Sequence, residues 1–197
     1  MPDWNVSLVT NMKNAFNGAS EFNGDLSGWD TGQVVDMYGM FSSAKVFNGN
    51  ISGWDTGQVV HMTLMFHAAA AFNQPIGAWN VARVTSMALM FQDAATFNQP
   101  IGAWNVARVK AMNGLFTDAG AFNQPLADWN VALVWDMRYM FMGAKAFAQD
   151  ITRRPTTALA RSDYMFDYAD AWQRAFKRDL GADGGAGDGP PEVWTRR

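Results

Sequence analysis

Cysteine is absent from the 197-residue chain, which removes disulfides, thiolate nucleophiles and cysteine metal sites. Histidine occurs only as His61 and His67. Six residues apart, the two do not share one face of a helix, so no two-histidine metal site is expected. Charge is scarce: Asp, Glu, Lys and Arg make up 17% of the residues, against about 25% in ordinary soluble domains. With 15 basic and 18 acidic residues the net charge is −3, so no basic field argues for nucleic acid. No run reaches the ~18–20 apolar residues of a membrane span. The nearest approach, Met62 to Phe72, contains His67 and follows a helical period. The start, Met1-Pro2-Asp3-Trp4-Asn5-Val6, has no basic segment followed by an apolar run and does not read as a secretory signal.

What the chain does have is a period. Trp4, Trp29, Trp54, Trp79, Trp104 and Trp129 recur every 25 residues. A phenylalanine column (Phe22, Phe47, Phe72, Phe97, Phe122, Phe147) keeps the same step. So does a second, from Phe16 and Phe41 to Phe141 and Phe166, and a methionine column from Met12 to Met137. A period in this range marks units that cannot bury their own apolar face and must stack on their neighbours. Aromatic rows in register are therefore expected to be the core, each ring contributing roughly 1.5–3 kcal/mol on burial, rather than a cofactor box.

Within one unit, Trp29-Asp30-Thr31 alternates apolar, polar and small polar, the period of a strand. The spacing of Met37, Met40, Phe41 and Ala44, repeated by Met87, Met90, Phe91 and Ala94, matches one face of a helix. Asn11, Asp36, Ser86 and Asp136 stand where N-caps would. Pro75, Pro100 and Pro125 would end the helices. The fold class expected is an α/β solenoid: a leucine-rich-repeat-like stack of 25-residue coils, each one short parallel strand plus one short helix. The asparagines Asn23, Asn48, Asn73, Asn98 and Asn123 are expected to bond to the backbone of adjoining coils.

The block Phe-Asn-Gln-Pro-Ile-Gly-Ala-Trp-Asn-Val-Ala-Arg-Val occurs twice, at 72–84 and 97–109. With Met87 to Ala94 it resembles the 25/26-residue repeat of BspA-like leucine-rich-repeat surface proteins, the repeat of Listeria and mycoplasma surface lipoproteins. Such repeats are also abundant in marine protists. The likeness covers about residues 4–150. It implies a binding or adhesion role rather than catalysis, and an extracellular or cell-surface location. Neither a lipoprotein signal nor a wall anchor is read in these residues. A plastid-type organelle assembly is the alternative location if a leader has been removed.

The repeat decays after Asp150, where Arg154-Pro155 replaces the expected Trp. The chain divides into a repeat region of about six coils (1–160), a C-terminal capping helix (161–180) and a Gly/Pro-rich tail (181–197). The cap is read as Ser162–Leu180, with Ser162 or Asp163 at its start and Gly181 at its stop. The tail is expected to be disordered in isolation, with Trp194 as its anchor. The first coil has no cap of its own, which points to a truncation, an end-to-end contact or a partner there.

For function, the exposed columns matter. Asp30, Asp55, Asn80, Asn105 and Asn130 are expected to line one face, with Arg83 and Arg108 beside them. That face could accept an extended peptide or another subunit, or simply be solvated. Leu64, Leu89 and Tyr139, with Met142, form a second contact candidate on the helix side, and Trp194 a third. Asp30 and Asp55, one coil apart, could be read as an acid pair for catalysis or calcium, but asparagine fills the rest of that column. Catalytic residues, a cofactor and a metal are not expected, and the chain does not read as an enzyme. The expectation is a non-catalytic interaction or scaffold module, a structural or linker subunit of a larger assembly, with an adhesion or ligand-binding module as the alternative. Its partners would be proteins, not nucleic acid, and contact with a membrane would come only through those partners.

Overall fold

The computed structural model describes residues 4–152, 158–178, 191 and 194–197. The α/β solenoid expected above does not form. Between residues 4 and 152 the chain has neither a helix nor a named strand. Instead, irregular 25-residue coils stack through single-residue parallel bridges, Asn11 to Asp36, Asp36 to His61, and onward through Ser86, Ala111 and Asp136 to Arg161.

The departure from helix has a backbone cause. Each coil holds two residues in the left-handed region. The first set is Asn14, Gly39, Leu64, Leu89, Gly114, Tyr139 and Tyr164; the second is Gly18, Ser43, Ala68, Asp93, Asp118, Gly143 and Tyr168. A left-handed residue every few positions cannot propagate an α-helix. What replaces it is a run of three-residue turns. Met40, Ser42 and Ala44 donate their N–H groups to the carbonyls of Met37, Gly39 and Phe41. The alternate N–H groups turn outward: Met37, Gly39, Phe41 and Ser43 donate to His61, Thr63, Met65 and His67 of the next coil at 2.7–2.9 Å. Every peptide group in this segment is thereby used, half within the coil and half between coils. Met37, Met40, Phe41 and Ala44 are all fully buried, so the apolar spacing is obeyed without the helix. The expected caps survive in a different role. The side chains of Asn11, Asp36 and Asp136 accept the N–H two residues on, at 2.8, 2.8 and 3.1 Å, which starts the turn run.

The expected strand triplet keeps its alternation but not its ladder. Trp29 and Thr31 are buried and Asp30 is exposed. The coil-to-coil bonds here come from side chains. Thr31 Oγ1 donates to the Asp55 carbonyl at 2.9 Å and Thr56 Oγ1 to that of Asn80 at 3.1 Å. The indole N–H groups of Trp54, Trp79, Trp104 and Trp129 donate to the carbonyls of Leu26, Ile51, Ile76 and Ile101 at 3.1–3.2 Å. Trp29 Nε1 has no partner among the described residues.

The core is a set of stacked rings. Successive Trp rings from Trp29 to Trp79 lie 6.2–6.4 Å apart, and the Phe16–Phe166 column runs at 5.4–5.8 Å. Inside a coil the two Phe columns touch, as with Phe66 and Phe72 at 3.8 Å. Trp4, at the end of the Trp column, is 58% exposed. The asparagine column bonds as its residues imply: the Oδ1 of Asn23, Asn48, Asn73, Asn98 and Asn123 each accepts a backbone N–H from the following coil at 2.8–3.0 Å.

The long C-terminal helix is also not found. Residues 161–168 form a seventh rung, bridged by Arg161 to Asp136 and carrying left-handed Tyr164 and Tyr168. Among the described residues, only α1 (Asp170–Ala175) is α-helical. Phe176 is extended, and β1 (Phe176–Arg178) pairs antiparallel with β2 (Trp194–Arg196). Leu180 and Gly181 lie outside the described residues. The aromatic columns end on Trp172, stacked 4.2 Å from Phe166, and on Trp194, which meets both edge-on.

Candidate functional site

The Asp/Asn column is exposed along its whole length, and each member is engaged in a turn. Asp30, Asp55, Asn80, Asn105 and Asn130 accept the N–H of Gly32, Gly57, Ala82, Ala107 and Ala132 at 2.8–3.2 Å. Those residue types are explained by turn formation alone. Arg83 and Arg108 are exposed beside the column, and the Arg83 guanidinium donates to Gln58 Oε1 one coil back. Among the described residues, no three carboxylate or imidazole groups converge as a metal ion would require.

Ser42 Oγ and His67 Nδ1 come within 3.2 Å across adjacent coils, although nothing in the sequence pairs them. The serine is only 9% exposed. A nucleophile needs access and a base held by a third group, and this hydrogen bond offers neither.

Leu64, Leu89 and Tyr139 are brought into one column, because all three occupy the first left-handed position of their coils. Gly114 holds the same position between Leu89 and Tyr139. Its missing side chain opens a pocket with about 250 Å³ of water-accessible space, lined by Leu89, Gln92, Gly114, Thr117, Tyr139 and Met142. One wall is the Leu89 methyl, Cδ2 lying 2.5 Å from where a Gly114 Cβ would sit. The opposite wall carries Tyr139, 38% exposed and stacked on Tyr164 at 5.4 Å with planes 6° apart. Thr117 Oγ1 donates to the Tyr139 carbonyl at 2.6 Å, fixing the floor between the two coils.

The last two rungs carry exposed aromatic and cationic side chains. Leu133, Trp135, Tyr139, Tyr164 and Tyr168 are all exposed. The Arg161 guanidinium sits over the Trp135 ring at 5.6 Å. Arg138 makes a two-pronged contact with Asp136, Nε to Oδ1 at 3.0 Å and Nη2 to Oδ2 at 2.7 Å. Burial of the Asp136 carboxyl works to raise its pKa, but the bonds from Arg138 and the charge of Arg161 outweigh it and hold the group below its ordinary 3.8. Those bonds also raise the pKa of Arg138. On the other flank, Asp118 follows Thr117 and is pushed up by burial and then by the Asp93 carboxylate, with Lys145 offsetting part of the rise.

Trp194 faces inward, 8% exposed, against Phe166 and Trp172. The sequence reading passed over Gly114, Gln92, Thr117, Trp135, Arg138 and Arg161. A signal existed: aligned on the repeat, the column Leu64, Leu89, Gly114, Tyr139, Tyr164 shows one glycine interrupting large side chains.

No curated protein and no solved structure matches the chain. One family model matches twice, over residues 1–101 and 74–179, and its two matches together span most of the chain. The chain thus belongs to the repeat family described as Mycoplasma protein of unknown function, DUF285.

Proposed function

We propose that this chain is a non-catalytic protein–protein interaction or scaffold module, a structural or linker unit of a larger assembly. The observation that carries the reading is the grouping of exposed side chains. Among the described residues, Leu133, Trp135, Tyr139, Tyr164 and Tyr168 are five of the nine exposed large hydrophobics, and all lie on the last two rungs. Arg138 and Arg161 lie among them. Trp, Tyr and Arg are the residues that dominate the energetics of protein interfaces.

The test compares the full chain with a Trp135→Ser/Tyr164→Ser variant, by native mass spectrometry of material drawn from the source organism. A stoichiometric complex that forms with the natural chain and is lost with the variant supports the reading. A chain recovered only as monomer, or a complex indifferent to both substitutions, overturns it. The second reading is a BspA-like surface adhesion module, favoured by the twice-repeated 72–84 and 97–109 block. It predicts that the purified chain attaches to whole cells or matrix, and that no soluble complex is recovered.

A further inference from the structure

We infer that the rung left open at Gly114 takes one aromatic side chain of an extended partner segment, with a basic residue of that segment set against Asp93 and Asp118. The inference rests on the interaction role proposed above and names the partner's chemistry.

The protein's own columns show what fits such a gap. Tyr139 and Tyr164 stack at 5.4 Å, and the buried Phe rings repeat at 5.4–5.8 Å. A ring placed at the Gly114 rung would continue the Tyr139–Tyr164 stack at the same interval. Its other face would meet the Leu89 methyls. The pocket, about 250 Å³, is wide enough for a phenol or indole and too small for a folded element. Gln92 at the rim and the Thr117 hydroxyl on the floor supply polar partners for a tyrosine O–H or tryptophan N–H.

Charge sets the flanking residue. Gln92 and Thr117 line the pocket, and Asp93 and Asp118 follow them directly, one coil apart. Neither carboxylate has a salt bridge, the Arg138–Asp136 pair being the one ion pair among the described residues. The two carboxylates repel each other, which a cation from a partner would relieve. The Arg138 guanidinium is already engaged by Asp136, so the acidic side sets the requirement, and a partner segment with a basic residue beside the aromatic one meets it.

The test uses the full chain with methyl-labelled Leu and Met and the probe peptide acetyl-Ala-Arg-Ala-Trp-Ala-amide. Saturable shifts of the Leu89 and Met142 methyl signals are expected at about 1 mM peptide. A Trp→Ala peptide should lose them, and the Arg→Glu peptide should bind several-fold more weakly. Gly114→Leu fills the rung and should abolish the shifts; Leu64 and Leu89 already occupy this position at φ 60°, against 61° for Gly114, and the Leu89 Cδ2 methyl, 2.5 Å from the new Cβ, must rotate aside to admit it. Tyr139→Leu, which removes the stacking face without filling the gap, is the second variant and should weaken binding about tenfold. Absence of shifts at Leu89 and Met142, or binding unchanged in Gly114→Leu, overturns the inference. If those outcomes appear while the native complex still depends on Trp135 and Tyr164, the interaction role stands and only the aromatic-rung inference falls.

Discussion

Replacing Trp79 by alanine tests the ring stack at its centre. Trp79 is 4% exposed, lies 6.4 Å from Trp54 and 6.2 Å from Phe66, and donates its indole N–H to Ile51 O at 3.2 Å. Buried Trp→Ala changes cost about 3–5 kcal/mol, through lost transfer free energy and the cavity left behind. The Ile51 carbonyl keeps the Trp54 N–H at 3.2 Å, so losing the indole donor adds little and the expected loss stays at about 3–5 kcal/mol. Trp4→Ala is the internal control. It removes the same side chain from the same column, but Trp4 is 58% exposed, so its cost should be under about 1 kcal/mol. Urea unfolding followed by circular dichroism and by fluorescence measures both, and coincident transitions by the two probes are required because repeat stacks can lose cooperativity. A Trp79→Ala cost under about 1 kcal/mol, or one equal to that of Trp4→Ala, would refute the account of the core.

The asparagine ladder and the charged flank make further predictions. Asn98 Oδ1 accepts both the Asn123 N–H and the Gln124 side-chain N–H at 2.9 and 3.0 Å. Asn98→Ala should cost about 1–2 kcal/mol in urea unfolding, and Asn98→Asp, which keeps the acceptor, should cost less. Asp136 titrates below its ordinary value in the folded state, so its contribution is present above pH 3.8 and is lost as pH falls through the folded pKa. Asp118 is shifted the other way; its ionisation opposes folding above its raised pKa, and that penalty fades as the group protonates. At pH 7, Asp136→Asn should therefore destabilise and Asp118→Asn should slightly stabilise, with the two differences from the natural chain shrinking together on acidification. Matching signs for the two variants would contradict the assigned environments.

The stacking register was legible in the sequence and the α/β fold class read from it was not, because a fixed period reports which positions meet and leaves the backbone between them open. Trp54, Phe66 and Met62 recur at one interval, and equal positions of stacked units must meet equal positions. The asparagine ladder followed from the same logic. The helix did not, since inward residues at spacings of three and four fit an α-helix and a run of three-residue turns alike. Left-handed backbone is usually betrayed by glycine, but here Leu64, Leu89, Tyr139 and Tyr164 occupy it, so the signal was masked. The same masking hid the pocket. On a helix, Gly114 would be one poor helix former; on a turn ladder it is a missing rung between Leu89 and Tyr139. Leu89 and Tyr139 were visible as surface residues, but their relation to each other depends on the backbone that the sequence obscured.

One substitution separates the two backbones by sign. Ala68 is left-handed at φ 53°, and its N–H bonds to the Gln92 carbonyl at 2.7 Å, a bond that glycine keeps. A left-handed L-residue costs roughly 1–2 kcal/mol, while the extra unfolded-state freedom of glycine costs roughly 0.5–1. Ala68→Gly should accordingly stabilise the chain by about 0.5 kcal/mol, since the side chain removed is a single methyl. In an α-helix the same change would cost about 1 kcal/mol. Ala69→Gly, at the adjacent and fully buried position, lacks the left-handed strain and should cost about 1 kcal/mol in either backbone. Opposite shifts of the urea midpoint for these neighbouring residues, at unchanged slope, are the expected result. If Ala68→Gly destabilises as Ala69→Gly does, the segment is helical, the rungs at Leu64, Leu89, Gly114 and Tyr139 are not a ladder, and the aromatic site at Gly114 loses its geometric basis.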